Sequence, residues 1–312
     1  MHVLNEDGKT IATVEGLKVQ KVTTQGLFGN KQESVKDSFY EVEWRKSEQE
    51  VILAQRENIP TSNTKSEPRG WLILADQQAI AQNLALQLQS QEDVCILVKP
   101  GKEFQQISPH EFTINSNNPL EFEQLLVVLQ EQLPHINGVV QCWSLDETDA
   151  HTLSDEDLLH VQQHVCGTTL SLVQALVKIK KSQSPQLWLV TSGAQPVPNN
   201  NPIIPGIVQS SLWGMGKVIA LEHPELKCVR VDLDPSTGVE QQAKALWEEI
   251  CSNDAEDQVA IREQERYVAR LIHHQQTKKA VSENSHFEST FEKALRSEER
   301  RVGKECRSRW SP

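Results

Sequence analysis

The chain has 312 residues, room for one large or two small domains with a buried core. Acidic side chains outnumber basic ones, 43 to 31, and the net charge of -12 opposes unassisted attraction to nucleic acid or to anionic membranes. No apolar run reaches the roughly 20 residues that a bilayer requires, and the opening Met1-His2-Val3-Leu4-Asn5-Glu6 lacks the regions of a signal peptide, so the sequence predicts a cytoplasmic chain. Six cysteines stand singly at 95, 142, 166, 228, 251 and 306 without a CxxC pair, which reads as reduced core or surface thiols.

In chain order, Val3 to Val19 reads as two alternating strands around the Asp7-Gly8 turn, a hairpin signal. Residues 26–38 are polar, lack an apolar period and are read as a linker. Phe39 to Trp44 alternates apolar and charged residues, as an edge or half-buried strand does. The run 71–75 predicts a buried strand, and Ile80, Leu84 and Leu88 mark one face of a helix over 79–88. The pattern then repeats, with strands at 94–98, 138–143, 186–191 and 228–233 and helices at 120–133 and 155–180. Two further strands, 258–262 and 266–271, flank a polar turn. Strands spaced by helices predict an α/β fold, an open and mostly parallel sheet with helices on both faces.

Residues 296–312 break from the Gln-rich text before them. They hold six basic and three acidic residues and resemble the conceptual translation of a sequencing-adapter oligonucleotide; without them 25 basic residues face 40 acidic ones, a net of -15. They are set aside as non-native, and the native protein is expected to continue beyond Leu295.

Sheets of this kind bind dinucleotides at the carboxyl ends of their strands, where a Gly-rich turn lets the backbone approach a pyrophosphate. Here the first such turn reads Asp76-Gln77-Gln78-Ala79-Ile80-Ala81, with no glycine. Side chains at these positions obstruct a pyrophosphate, so no cofactor-binding residue is assigned. Reductases on this sheet also use a Ser after one strand and a Tyr-x-x-x-Lys on the next helix. Ser192 follows such a strand, but Trp213 stands four residues before Lys217 where a tyrosine is needed, and an indole supplies no phenolic proton. Trp213 is read as a buried anchor, and no catalytic residue is assigned.

Other groups receive structural readings. His160 and His164 are one helical turn apart, but Gln162-Gln163 replaces the glutamate of HExxH and no third ligand is evident, so they are read as solvated helix positions and no metal ligand is assigned. In the acidic cluster Asp146, Glu147, Asp149, Asp155, Glu156 and Asp157, the residues after Ser154 suit the N-terminus of the long helix. Glu222-His223-Pro224-Glu225 is read as a turn, and His273-His274 as exposed linker.

The stretch from Gln209 to Leu226 (QSSLWGMGKVIALEHPEL), followed by Val231-Asp232-Leu233-Asp234, resembles the structural subdomain of the ketoreductase region in modular type I polyketide synthases. Phe39 to Trp44, Val139 to Asp146 and Ile261 to Leu271 fall in that family's order. Residues 1–25 are similar to the closing strands of a dehydratase domain. The resemblance implies a degenerate Rossmann-like, short-chain reductase-like sheet with an N-terminal hairpin remnant. It also implies a division into dehydratase strands 1–25, linker 26–38, ketoreductase structural subdomain 39–272, linker 273–295 and the foreign 296–312. Such a subdomain binds no cofactor itself; it supports a catalytic half, absent here, that uses NADPH to reduce a β-ketoacyl group. Its implied partners are that half, the dehydratase domain and the acyl carrier protein, and no nucleic acid or membrane. The alternative is an independent NADPH-dependent short-chain reductase with an atypical site.

Overall fold

The computed structural model describes residues 2–4, 10–13, 39–47, 68–133, 135–147, 153–178, 184–197, 205–252 and 254–274. The predicted Asp7-Gly8 turn, the linker 26–38, residues 275–295 of the linker 273–295, the tail 296–312 and Cys306 lie outside them. Contacts divide the chain into a body, Val42–Leu271, and a second unit of Met1–Glu41 with Ile272–Pro312. In the second unit β1 (His2–Leu4) pairs antiparallel with β2 (Thr10–Thr13), as the hairpin reading expects.

Strand β3 (Tyr40–Lys46) is followed by β4 (Gly70–Leu74), α1 (Ile80–Gln89), β5 (Val94–Pro100), β6 (Gln105–Ser108), β7 (Glu111–Ile114), α2 (Pro119–Gln132) and β8 (Gly138–Gln141). The second half carries α3 (Asp155–Gln162), α4 (Thr168–Lys178), β9 (Gln186–Ser192), α5 (Ser211–Glu222), β10 (Val229–Leu233), α6 (Val239–Ser252), β11 (Gln258–Arg262) and β12 (Glu265–His273). The ten-stranded sheet runs β3-β12-β11-β10-β9-β8-β4-β5-β7-β6. From β11 to β7 every neighbouring pair is parallel, while β12 and β6 pair antiparallel with β11 and β7.

Alternation along the strands builds one core on each face. Leu72 and Leu74 face α2, the α3–α4 segment and α5, beside Phe122, Val165, Leu172 and Leu212. Trp71, Ile73 and Ala75 face α1 and α6, beside Leu84, Leu88 and Leu246. Each leucine, isoleucine, valine or phenylalanine among them that is fully withdrawn from water contributes roughly 1.5–3 kcal/mol before conformational entropy is counted. Gly138 is required by this packing, because a Cβ there would lie 2.1 Å from the Trp71 ring.

The structure corrects several boundaries. The strand expected over 138–143 ends at Gln141, where a 3₁₀ turn, Trp143–Asp146, folds Trp143 into the core so that its Nε1–H donates to the Val98 carbonyl at 3.2 Å. The helix expected over 155–180 is interrupted by a π turn, Gln163–Gly167, and its described part ends at Lys178. The β6–β7 hairpin and α6 were not foreseen. His273 lies in β12 rather than in a linker, its ring edge-on to Tyr40 at 5.3 Å. Glu263 and Gln264, both at positive φ (52° and 67°), form the two-residue β11–β12 turn whose geometry normally selects Asn-Gly.

Candidate functional site

The chain starts its parallel sheet at β4, moves outward to β5 and β7, then returns to the other side of β4 with β8, β9 and β10. Strand order therefore reverses between β4 and β8, and a ligand crevice belongs beyond their carboxyl ends. Two turns meet there, Ala75–Ala79 after β4 and Cys142–Asp146 after β8.

The first four N–H groups of a helix lack intrahelical acceptors, and in dinucleotide-binding folds such groups face phosphate. Here Asp76, only 1% exposed, takes that position: its Oδ2 accepts from Ile80 N–H at 3.1 Å and its Oδ1 from Ala81 N–H at 2.7 Å. Asp146 reaches across from the 3₁₀ turn, and its Oδ1 accepts from Gln77 N–H at 2.7 Å. The Gln78 amide donates to the Leu145 carbonyl at 2.9 Å, tying the two turns together. Asp146 is held at a cost. Its Oδ2 is buried without a hydrogen-bond partner, and burial pushes its carboxyl above the ordinary range; Asp76 and Glu147 add to this, while Gln77 N–H and His164 act against it. Ala79 adopts a left-handed conformation (φ 74°, ψ 17°), where a glycine carries no steric penalty.

The remaining space does not suit a dinucleotide. A cavity of about 230 Å³ lies against Gln78, Leu145, Ser192, Pro205, Pro235 and Gln242, below the roughly 300–1,000 Å³ of ordinary ligand pockets. Like charges 4 Å apart repel by about 1 kcal/mol in water and about 4 kcal/mol near a protein surface, so two carboxylates at the turn disfavour any phosphate. The residues present therefore do not fit a nicotinamide dinucleotide.

At the other side of the crevice Ser192 donates its backbone N–H to Gln209 Oε1 at 2.9 Å, and its hydroxyl lies 3.5 Å from Gln242 Oε1. Trp213, 4% exposed, directs its Nε1–H to Thr191 Oγ1 at 2.9 Å and packs edge-on against Trp44 at 5.6 Å. Lys217 on the same helix is exposed. The indole is anchored against the strand while the lysine is exposed, so Trp213 takes the buried position expected of it.

Thr191 in turn donates to Asp232 Oδ1 at 2.6 Å, and Asp232 accepts from Ala194 N–H at 2.9 Å, from Gln195 N–H at 3.0 Å and from the Arg262 guanidinium. Arg262 directs its other donors to the carbonyls of Asp232, Leu233, Ile261 and Gln195. This buried and satisfied network closes the carboxyl ends of β9, β10 and β11. Sequence reading missed it; the available signal was opposite charges in neighbouring strand-like runs, Asp232 beside Arg230 in β10 and Arg262 at the end of β11.

His160 is exposed, but His164 is not the solvated position expected. The π turn brings its ring parallel to Trp143 at 6.3 Å and its Nδ1 to 3.1 Å from Glu147 Oε1. Among the described residues no three His, Cys, Asp or Glu side chains are grouped to hold a metal ion. Ser154 and Asp157 form the capping box of α3, bearing out the structural reading of that acidic run. Glu222 ends α5, and Pro224–Leu226 forms a short 3₁₀ turn. Burial pushes the Cys95 and Cys228 thiols up to about 12 and the Cys142 thiol well above its usual value, which leaves them unreactive at neutral pH. No described helix is long and apolar enough to cross a membrane.

Residues 103–271 match the family model described as the Rossmann fold domain of the polyketide synthase extender module SpnB. A stretch of 87 residues is 39% identical to the phthioceranic/hydroxyphthioceranic acid synthase of Mycobacterium tuberculosis (strain ATCC 25618 / H37Rv); it covers 28% of this chain and 4% of that relative. The chain thus spans only a small part of the length of such relatives. Among solved structures, a ketoreductase-containing multidomain fragment of a keto acid-selecting NRPS module aligns with TM-score 0.61 at 21% identity, over 75% of this chain and 18% of that one. An N-terminal ketoreductase from the macrolactin assembly line aligns with TM-score 0.55 at 15% identity, over 78% of this chain and 46% of that one. The two structural likenesses establish the fold and no more, whereas the family match spans more than half of the chain, which therefore belongs to the Rossmann fold domains of polyketide synthase extender modules.

Proposed function

We propose that the body of this chain is the non-catalytic half of a polyketide synthase ketoreductase region, a scaffold on which a separate catalytic half binds NADPH and reduces a β-ketoacyl group. The observation that carries the reading is the Asp76 carboxylate on the α1 amides, where a reductase would hold its cofactor. The indole at Trp213, tied to Thr191, supports it from the other side of the crevice.

The outer helices supply the surface for a partner. On α5, Gly214, Val218 and Leu221 follow at helical spacing, with Val218 50% and Leu221 83% exposed. Leu159 at 71% and Leu170 present apolar side chains on α3 and α4. A groove of about 540 Å³ lies between α3 and α5, lined by Leu153, Leu158, Ile207 and Val208 together with the polar Asp155 and Gln162. Apolar surface of this kind is characteristic of an interface. The chain spans less than half of the macrolactin ketoreductase it resembles, which leaves a second body of comparable size to act as partner. The acyl carrier protein and a dehydratase domain of the same synthase complete the proposed assembly.

The test is NADPH oxidation by the full chain with a β-ketoacyl thioester. The scaffold reading expects no rate above that of buffer, and sustained turnover abolished by Ser192→Ala would replace it with the reductase reading.

A further inference from the structure

The chain's own carboxylates stand where a bound phosphate would be, and this closure extends the scaffold reading on which it rests. Two oxygens of one side chain, Asp76, take the N–H groups of Ile80 and Ala81, at the start of a helix ten residues long. A second carboxylate, Asp146, 69 residues further along the chain than Gln77, takes the N–H of that residue in the same turn. The Asp76 contacts are local, whereas the Asp146 contact is made across the crevice and is set by the fold. Asp146 keeps one oxygen buried and unpartnered in order to make its contact, which a hydrated surface aspartate would not do. Ala79 holds a left-handed backbone conformation that its side chain disfavours and that a glycine adopts without penalty.

We infer that Asp76 and Asp146 are an internal replacement for phosphate: they hold the β4–α1 turn in a phosphate-binding conformation, occupy its amides, and so shut polyphosphates out of this half of the synthase. The turn is a closed site rather than a missing one. Its closure depends on charge and occupancy more than on backbone shape, so removing the carboxylates restores affinity for a phosphorylated ligand at the α1 N-terminus.

The experiment titrates inorganic pyrophosphate into the full chain by calorimetry, comparing the unmodified protein with Asp76→Ser/Ala79→Gly and with the same variant carrying Asp146→Asn. The introduced serine would still offer an N-capping oxygen, and Asp76→Asn, nearly isosteric with the native side chain, serves if the serine variant does not fold. The expected result is no saturation by the unmodified chain at millimolar pyrophosphate and a gain of roughly tenfold in affinity for each carboxylate removed. Folded variants, judged by circular dichroism and a cooperative melt, that bind no better than the unmodified chain would overturn the inference. NADPH titrated into the unmodified chain separates the two readings: binding there defeats the scaffold function, whereas silence there together with silent variants defeats only the internal-phosphate idea.

Discussion

The carboxyl edge of the sheet and the outer face of α3 and α5 handle their surfaces in opposite ways. At the edge, Asp76, Thr191, Asp232, Trp213 and Arg262 direct their polar atoms to partners within the chain. On the helix face, Leu159, Val218 and Leu221 stand exposed among the described residues. A reductase needs the reverse, an edge with unsatisfied donors awaiting a cofactor. A dinucleotide-type sheet can therefore keep its shape while its interactions move from ligand binding to self-support, leaving the helices as the surface open to a partner.

The edge is most vulnerable at its buried ion pair. Asp232→Ala leaves the Arg262 guanidinium buried and uncompensated, and unfolding by denaturant should show a loss of about 3–5 kcal/mol. A loss within error would show that the network is dispensable. At the β4–α1 turn, Ala79→Gly relieves the left-handed strain and should raise stability by up to about 1 kcal/mol in the same measurement.

Asp146 tests the edge through pH. Its folded-state carboxyl sits above the unfolded value of 3.8, chiefly through burial, so the native state holds this proton more tightly. The stability it contributes is present below the unfolded value and is lost as pH rises through the folded one. Asp146→Asn should therefore gain on the unmodified chain by a few tenths of a kcal/mol at neutral pH, with the advantage fading toward acid, as thermal melts across that range would show. The opposite slope would mean that Asp146 is not held at a cost. Leu221→Asp should move stability least, within about 0.5 kcal/mol in the same melts, because it charges an exposed face without touching the core; a larger loss would show that this face packs within the chain.

The apolar runs at 71–75 and 94–98 were legible as strands because burial on both faces leaves a continuous hydrophobic signal, and 186–191 and 228–233 because apolar residues still dominate them despite Arg230 and Asp232. The β6–β7 hairpin was not: Gln105 and Gln106 carry no apolar alternation, and the strand forms because β7 finds a parallel partner in β5. The π turn at 163–167 was hidden because Val161, Val165, Leu172 and Leu176 keep a helical spacing across it. At the candidate site the missing glycines were visible, but the use of Asp76 was not, since a carboxylate beside a helix start reads equally as cap and as obstruction until its hydrogen bonds are seen. The Asp232–Arg262 pair joins strands 30 residues apart, a separation that no local pattern reports.

Scaffold and reductase differ most plainly in whether this chain holds a nicotinamide cofactor, and the direct measurement is a titration of the full chain with NADPH followed by tryptophan fluorescence. A scaffold shows no saturable change up to millimolar cofactor, and saturable binding in the micromolar range would contradict that role.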